Sequence, residues 1–382
     1  MFSISREILT TSPNRSAIRA GFGLAVAMGV GRFVFTPILP VMVTALSLPA
    51  VSTAVIASAN YVGYFLGAFI LARKPSITFQ MTLRIAACVL IISLMAMAWT
   101  TSITAYALIR LLAGIASAAM FVCLSQVAAD AEASGGDSGY TYAGVGAGIA
   151  ISGLFVALAL SSVPWQGLWY GSALLAVLLT IPAWGLPVTP PHARSGSTQR
   201  HEWSQQGVRT YLILLVTYFL EGAGYIIIGT YLVAVADGTL PAIAPWVWVV
   251  AGVAAVPSTM VWRYVRSHLT AQTTFVAAYM LQFFSAIIPL LSASAWASLL
   301  SAFLFGATFM GITLLSIREA AAAGVVAAPA RLTATYGIGQ ILGPLVAVPL
   351  LLDGNYNEGF IVAALILMAA TAGSLFLPKQ CN

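Results

Sequence analysis

Twelve apolar runs, each about 20 residues or longer, fill most of this 382-residue chain. They lie at 18–45, 50–72, 78–100, 103–128, 140–162 and 167–187, then at 208–235, 243–264, 270–292, 295–318, 329–352 and 357–378. About 20 helical residues cross the roughly 30 Å hydrocarbon layer of a bilayer, and irregular backbone cannot face lipid. Each run is therefore predicted to be a transmembrane helix. Only 7% of residues are charged, too few to solvate a surface all round. The lipid bilayer is the expected partner. The 16 Lys and Arg are scattered between the runs rather than clustered, so their excess over 10 Asp and Glu does not point to nucleic acid. The polar first 17 residues lack a cleavable-signal pattern, and the run from Ile18 is too long for a signal core, so it is expected to be a retained span.

The basic residues orient the spans. Arg6, Arg15, Arg19, Arg73, Lys74, Arg84, Arg194, Arg200, Arg209, Arg263, Arg266, Arg318, Arg331 and Lys379 all fall on one side of a twelve-span topology. The positive-inside rule makes that side cytoplasmic, with both termini inside; a bacterial cytoplasmic (inner) membrane is the expected location. A miscounted span would scatter these charges over both faces. Arg32 and Arg110 alone among the basic residues remain within the membrane.

The halves are related. Gly29-Val30-Gly31-Arg32-Phe33 returns, altered, as Gly222-Ala223-Gly224-Tyr225-Ile226 at the same depth of the first span in the second half. Gly144, Gly146 and Gly148 of span 5 find a counterpart in Gly337 and Gly339 of span 11. The longest polar connection, 188–207, divides the chain six spans from six. The expected architecture is an all-α membrane protein of twelve transmembrane helices in two pseudo-symmetric six-helix bundles, 1–187 and 208–382, joined by a cytoplasmic linker. Six spans per half give both copies one orientation, as parallel repeats require.

This organisation resembles the major facilitator superfamily. Gly31-Arg32-Phe33-Val34-Phe35-Thr36-Pro37-Ile38-Leu39-Pro40 is similar to the span 1 signature of its YbfB/YjiJ-type members, and Gly224-Tyr225-Ile226-Ile227 with Gly229-Thr230 to their span 7 signature. Arg110 and Gly114 in span 4 resemble the core of a motif associated with proton coupling. The superfamily's Asp in the loop between spans 2 and 3 is missing from Gly67-Ala68-Phe69-Ile70-Leu71-Ala72-Arg73-Lys74. The resemblance implies a transporter working by alternating access, with spans 1, 4, 7 and 10 lining a central cavity.

Three charges then carry the chemistry. Arg32 lies fourteen residues into span 1, roughly 21 Å from its end, and Glu221 thirteen residues into span 7. Arg110 lies seven residues from the outer start of span 4. A charge at a helix centre costs about 2.5–3.5 kcal/mol on insertion scales, so it normally faces water or another charge. A guanidinium offers two parallel donors to a carboxylate or phosphate, so Arg32 and Arg110 are candidate cargo ligands for an anion. Glu221 is the acidic residue deepest in a span, and low dielectric penalises its charged form, which makes it the candidate proton carrier, with Arg110 assisting coupling. A mutually neutralising Arg–Glu latch between the halves is the structural alternative. Thr36, Tyr225 and Gln340 complete the expected cargo site. Thr36 precedes Pro37, which frees a backbone carbonyl, and Gly29, Gly31, Gly222 and Gly224 permit local unwinding or close backbone approach. Asn60, Tyr61 and Tyr64 form a polar cluster in span 2.

The expected function is secondary active transport of a small organic anion, coupled to protons, by a monomer without cofactor or metal. Proton-antiport export of amphipathic drug-like compounds is the second reading, and a transporter-like membrane sensor the third. An enzyme is not expected: His192, His201 and His268 all fall in polar connections, and no convergent nucleophile lies in a span.

Overall fold

The structure is a computed structural model that describes residues 12–73, 79–188, 205–325, 328–347 and 357–379. Most of the 188–207 linker, together with Arg6, Lys74, Arg194, Arg200, His192 and His201, lies outside the described residues.

Among the described residues the ordered elements are helices. Span 1 covers Pro13–Leu46, span 2 Ala50–Arg73, span 3 Phe79–Ala96, span 4 Ile103–Ala133, span 5 Gly139–Ala159 and span 6 Trp165–Trp184. The second half supplies span 7 at Gln205–Thr239, span 8 at Ala244–His268, span 9 at Ala271–Leu291 and span 10 at Ala295–Ala322, then span 11 at Ala328–Ala347 and span 12 at Asn357–Ser374. Eleven are long and apolar enough to cross a membrane within the described residues. Span 11 continues the series, and residues 348–356 beyond it are outside the description. Several helices overrun the apolar runs: spans 4, 8 and 10 extend to Ala133, His268 and Ala322. Hydropathy marks where lipid ends, whereas backbone hydrogen bonding continues into the polar layer.

Burial is inverted relative to a soluble protein. Leu108, Leu158, Ile181 and Leu365 face outward, each at least 59% exposed, while Asn60, Ser117, Thr217 and Gln282 are fully buried. Lipid accepts the apolar faces, so polar side chains turn inward and bond between helices. Ser117 donates to the Ala27 carbonyl at 2.6 Å, and Thr141 to the Ala17 carbonyl at 3.0 Å. Arg19 donates to the Pro182 carbonyl at 2.9 Å and Asn14 accepts from the Asp137 N–H at 2.9 Å.

The halves repeat their internal packing. A Cβ on Gly148 of span 5 would strike the Ala25 carbonyl of span 1, and one on Gly339 of span 11 would strike the Phe219 carbonyl of span 7. Between the halves, span 5 packs along span 8 and span 2 along span 11. Gly146 approaches the Ala255–Val256 backbone, and Gly337 sits against Phe65.

Candidate functional site

Span 1 is broken where the signature begins. A π-helical segment covers Ala25–Val30, and the chain turns through 31–34 before helix resumes at Phe35. Gly31 and Phe33 donate five residues back, to Val26 and Met28, at 2.8 and 3.0 Å. Pro37 has no N–H for the Phe33 carbonyl. Thr36 N–H takes that carbonyl instead, at 3.2 Å, and the Arg32 carbonyl loses its regular helical donor. Arg110 fills the gap: its Nη2 donates to the Arg32 carbonyl at 3.2 Å and its Nη1 to the Gly31 carbonyl at 3.4 Å. Asn60 in turn donates to the Arg110 carbonyl at 3.0 Å. The freed carbonyl expected from Pro37 is thus present, and span 4 answers it. Span 7 carries the matching glycines yet stays helical throughout Gln205–Thr239. Its sequence puts Ile228 where span 1 has Phe35 and Tyr231 where it has Ile38, with no proline in the copy. Unwinding therefore follows the proline, not the glycines.

The Arg32 guanidinium occupies an unusual environment. The residue is 2% exposed, and none of Nε, Nη1 and Nη2 has a hydrogen-bond partner. Its neighbours are rings: Tyr64 at 4.2 Å, Tyr61 at 5.2 Å and its own successor Phe33 at 5.5 Å. Cation–π attraction offsets part of the desolvation cost, by about 2 kcal/mol or more per well-placed ring in a dry site. It leaves all the donors of the fork unused.

Glu221 lies in a separate compartment within the second half. It is fully buried; its Oε1 accepts from Gln282 Nε2 at 3.3 Å, and its Oε2 has no partner. Tyr218, Tyr279 and Tyr336 surround it. Among the described residues no ion pair joins Glu221 to Arg32 or Arg110. The neutralising latch weighed from the sequence is not formed.

Tyr225 stands between the two compartments. Its hydroxyl accepts from Gln340 Nε2 at 2.5 Å, and its ring stacks on Tyr336 at 5.1 Å. Phe305 and Phe309 of span 10 continue the stack at 6.0 and 5.9 Å. Tyr225 and Gln340 are therefore together. Thr36 is elsewhere: it donates to the Gly229 carbonyl at 3.1 Å, and beside it Tyr61 bonds Thr230 at 2.9 Å. These two contacts tie the halves together on the side of Arg32 away from the basic face.

On the basic face, Arg263 pairs with Asp137, and Arg318 pairs with Glu132 at 2.9 Å, both across the halves. Thr259 also donates to the Gly139 carbonyl at 3.2 Å. Arg266 pairs with Glu319 at 2.7 Å within the second half. Arg318 and Glu319, neighbours in the chain, thus pair with Glu132 and Arg266 respectively. Together with Ser267 they border an open cleft of about 480 Å3. Arg84 reaches the basic end, donating to the Trp184 carbonyl at 3.3 Å.

Sequence reasoning did not find Gln282, Tyr218, Tyr279, Tyr336, Phe305, Phe309 or Trp248. Gln282 had a readable signal, an amide at the middle of an apolar run. The aromatic residues had none, since rings in a span pack against lipid as readily as against one another.

Residues 24–375 match the family model described as "Uncharacterised MFS-type transporter YbfB". The crystal structure of the nucleoside transporter NupG superposes with a TM-score of 0.69 at 13% identity, covering 97% of this chain and 100% of that one. A mutant of the same transporter gives 0.68 at 15% identity over the same shares. At those identities the likeness shows the fold alone. No curated protein sequence matches the chain.

Proposed function

We propose a cargo and a coupling ion for this chain, which belongs to the YbfB-type family of major facilitator superfamily transporters. It is an integral membrane transporter, not an enzyme. The proposed cargo is a small organic anion, and Arg32 is its anchor. One observation carries this reading: a guanidinium 2% exposed, with every nitrogen unpartnered, in a chain whose other buried polar groups mostly find partners. Leaving a buried charge unpaired costs several kcal/mol. A protein keeps such a group where a ligand supplies the missing acceptors, and an anion fits a planar fork with two parallel hydrogen bonds.

Arg110 is a positioning residue in this account. Two of its nitrogens hold the broken stretch of span 1, which fixes where Arg32 projects. Glu221 is the proposed proton carrier, because a buried carboxyl without a cation partner is best accommodated neutral. Tyr225, Tyr336 and Gln340 lie between Arg32 and Glu221, so cargo and proton are sensed in adjoining compartments. Thr36 and Tyr61 link the halves on one side and Glu132 and Asp137 on the other, both sets formed together here, and rocking about this centre would break one set at a time. The basic face is the proposed cytoplasmic face of a bacterial inner membrane, with the linker at 188–207 and both termini there, and the transporter works as a monomer.

The test is a thermal-shift screen of purified protein against metabolite carboxylates, phosphates and neutral analogues, followed by flux of the hits into proteoliposomes under an imposed pH gradient. Stabilisation by carboxylates or phosphates that disappears in Arg32→Met supports the reading. Stabilisation by neutral or cationic compounds alone contradicts it.

A further inference from the structure

We infer that the anion is a planar aromatic carboxylate, a conclusion that rests on the Arg32 reading and narrows it. The second half turns a stack of rings toward Arg32. Tyr225 lies nearly parallel to Phe305, at 5°, and to Phe309, at 11°, while Phe305 and Phe309 are 5.1 Å apart at 16°. Trp248 of span 8 extends the stack beside Phe305 at 6.2 Å and 29°. Three different spans thus place their rings in one orientation, although lipid-facing rings need no common alignment.

Phe33 shows what that surface accepts. It comes from the other half, next to Arg32 in the chain, and meets Phe309 at 6.2 Å and 77° and Trp248 at 6.1 Å and 61°. Edge-to-face contact is a preferred arrangement between aromatic rings. With the halves closed, one ring of the first half therefore rests on the stack, with the unpartnered guanidinium 5.5 Å from its centre. When the halves separate, Phe33 leaves with span 1 and uncovers ring faces beside an open anion site. A cargo ring carrying a carboxylate satisfies both: the carboxylate bonds the Arg32 fork and the ring replaces Phe33 on Phe309 and Trp248. An aliphatic carboxylate of equal size fills only the first role.

Equilibrium binding to the purified full chain separates the possibilities, with benzoate, cyclohexanecarboxylate and benzamide as probes. The expected result is benzoate binding up to about tenfold more tightly than cyclohexanecarboxylate, the gain available from aromatic pairing, with benzamide not bound. Phe309→Leu, and separately Trp248→Leu, lowers benzoate affinity toward the cyclohexanecarboxylate level, while cyclohexanecarboxylate still binds, which also shows that the variant is folded. Equal binding of the two carboxylates, unaffected by either variant, overturns the aromatic inference while the anionic reading stands. Benzamide binding as tightly as benzoate, or no binding by either carboxylate, overturns both.

Discussion

Arg110 donates to the backbone carbonyl of Arg32, so one buried arginine holds the main chain of another at the point where span 1 is broken. The arrangement divides labour between two residues of the same type. One guanidinium is committed to backbone acceptors, and the other keeps every donor open.

Arg110→Lys is the informative change for the first role. An ammonium is a point charge and cannot bridge two carbonyls as a planar fork does. Cargo affinity is expected to fall about tenfold or more, with the cargo-selectivity pattern preserved, since Arg32 remains but loses its fixed position. Binding and counterflow of the same probes in wild type and variant check this. A lysine variant with wild-type affinity contradicts the positioning role.

Arg32→Met is expected to uncouple stability from function. Transport and anion binding disappear. The empty protein gains stability of about 1–4 kcal/mol, because a buried charge without acceptors gives way to an apolar chain of similar length. Thermal unfolding in detergent without cargo reads the change. A lower melting temperature for the methionine variant means that Arg32 has a structural partner.

Thr36 and Tyr61 form the latch away from the basic face. The double variant Thr36→Val, Tyr61→Phe removes both hydrogen bonds while conserving shape, a loss of about 0.5–1.5 kcal/mol for each. The population shifts toward the conformer open on that side. Alkylation of a cysteine introduced by Thr230→Cys, which already removes the Tyr61 bond, reads the Thr36 share as faster labelling with Thr36→Val than without it.

The glycine seams test the packing of each half. Gly148→Val and Gly339→Val each push a side chain into the backbone of the neighbouring helix. Overpacking typically costs about 1–3 kcal/mol. Both variants are expected to melt lower by similar amounts, as equivalent positions of a duplicated bundle should, whereas Gly238→Val, with open space around it, should not.

Much of this was legible in residues. The apolar run length gave the spans, the one-sided arginines and lysines gave their alternation, and Pro37 foretold a free carbonyl. Arg32 and Glu221, the charges counted deep in their spans, are both buried. Their separation into two compartments was not legible, because it depends on how spans 1, 7, 9 and 11 rotate about their axes, and low sequence amphipathicity in lipid leaves rotation to packing. The glycine repeat allowed local unwinding or close backbone approach, and close approach occurs in both halves, at Gly29 against Gly148 and at Gly222 against the Tyr336 carbonyl. Only span 1 breaks, since the copy at Gly222–Leu232 has kept the glycines without the proline. The ring stack joins Phe305 and Phe309, one turn apart on span 10, to Tyr225 on span 7, and nothing in the spacing of the pair announces that partner.

Proteoliposomes that measure both exchange and gradient-driven uptake of one bound anion, in Glu221→Gln and in Arg32→Met, test the central claim most directly. Glu221→Gln should retain exchange and lose acceleration by a pH gradient, because the amide mimics the neutral carboxyl and cannot release a proton. Arg32→Met should lose both activities. Wild-type response to the gradient in Glu221→Gln, or exchange persisting in Arg32→Met, would contradict the assignment of proton and cargo to these two residues.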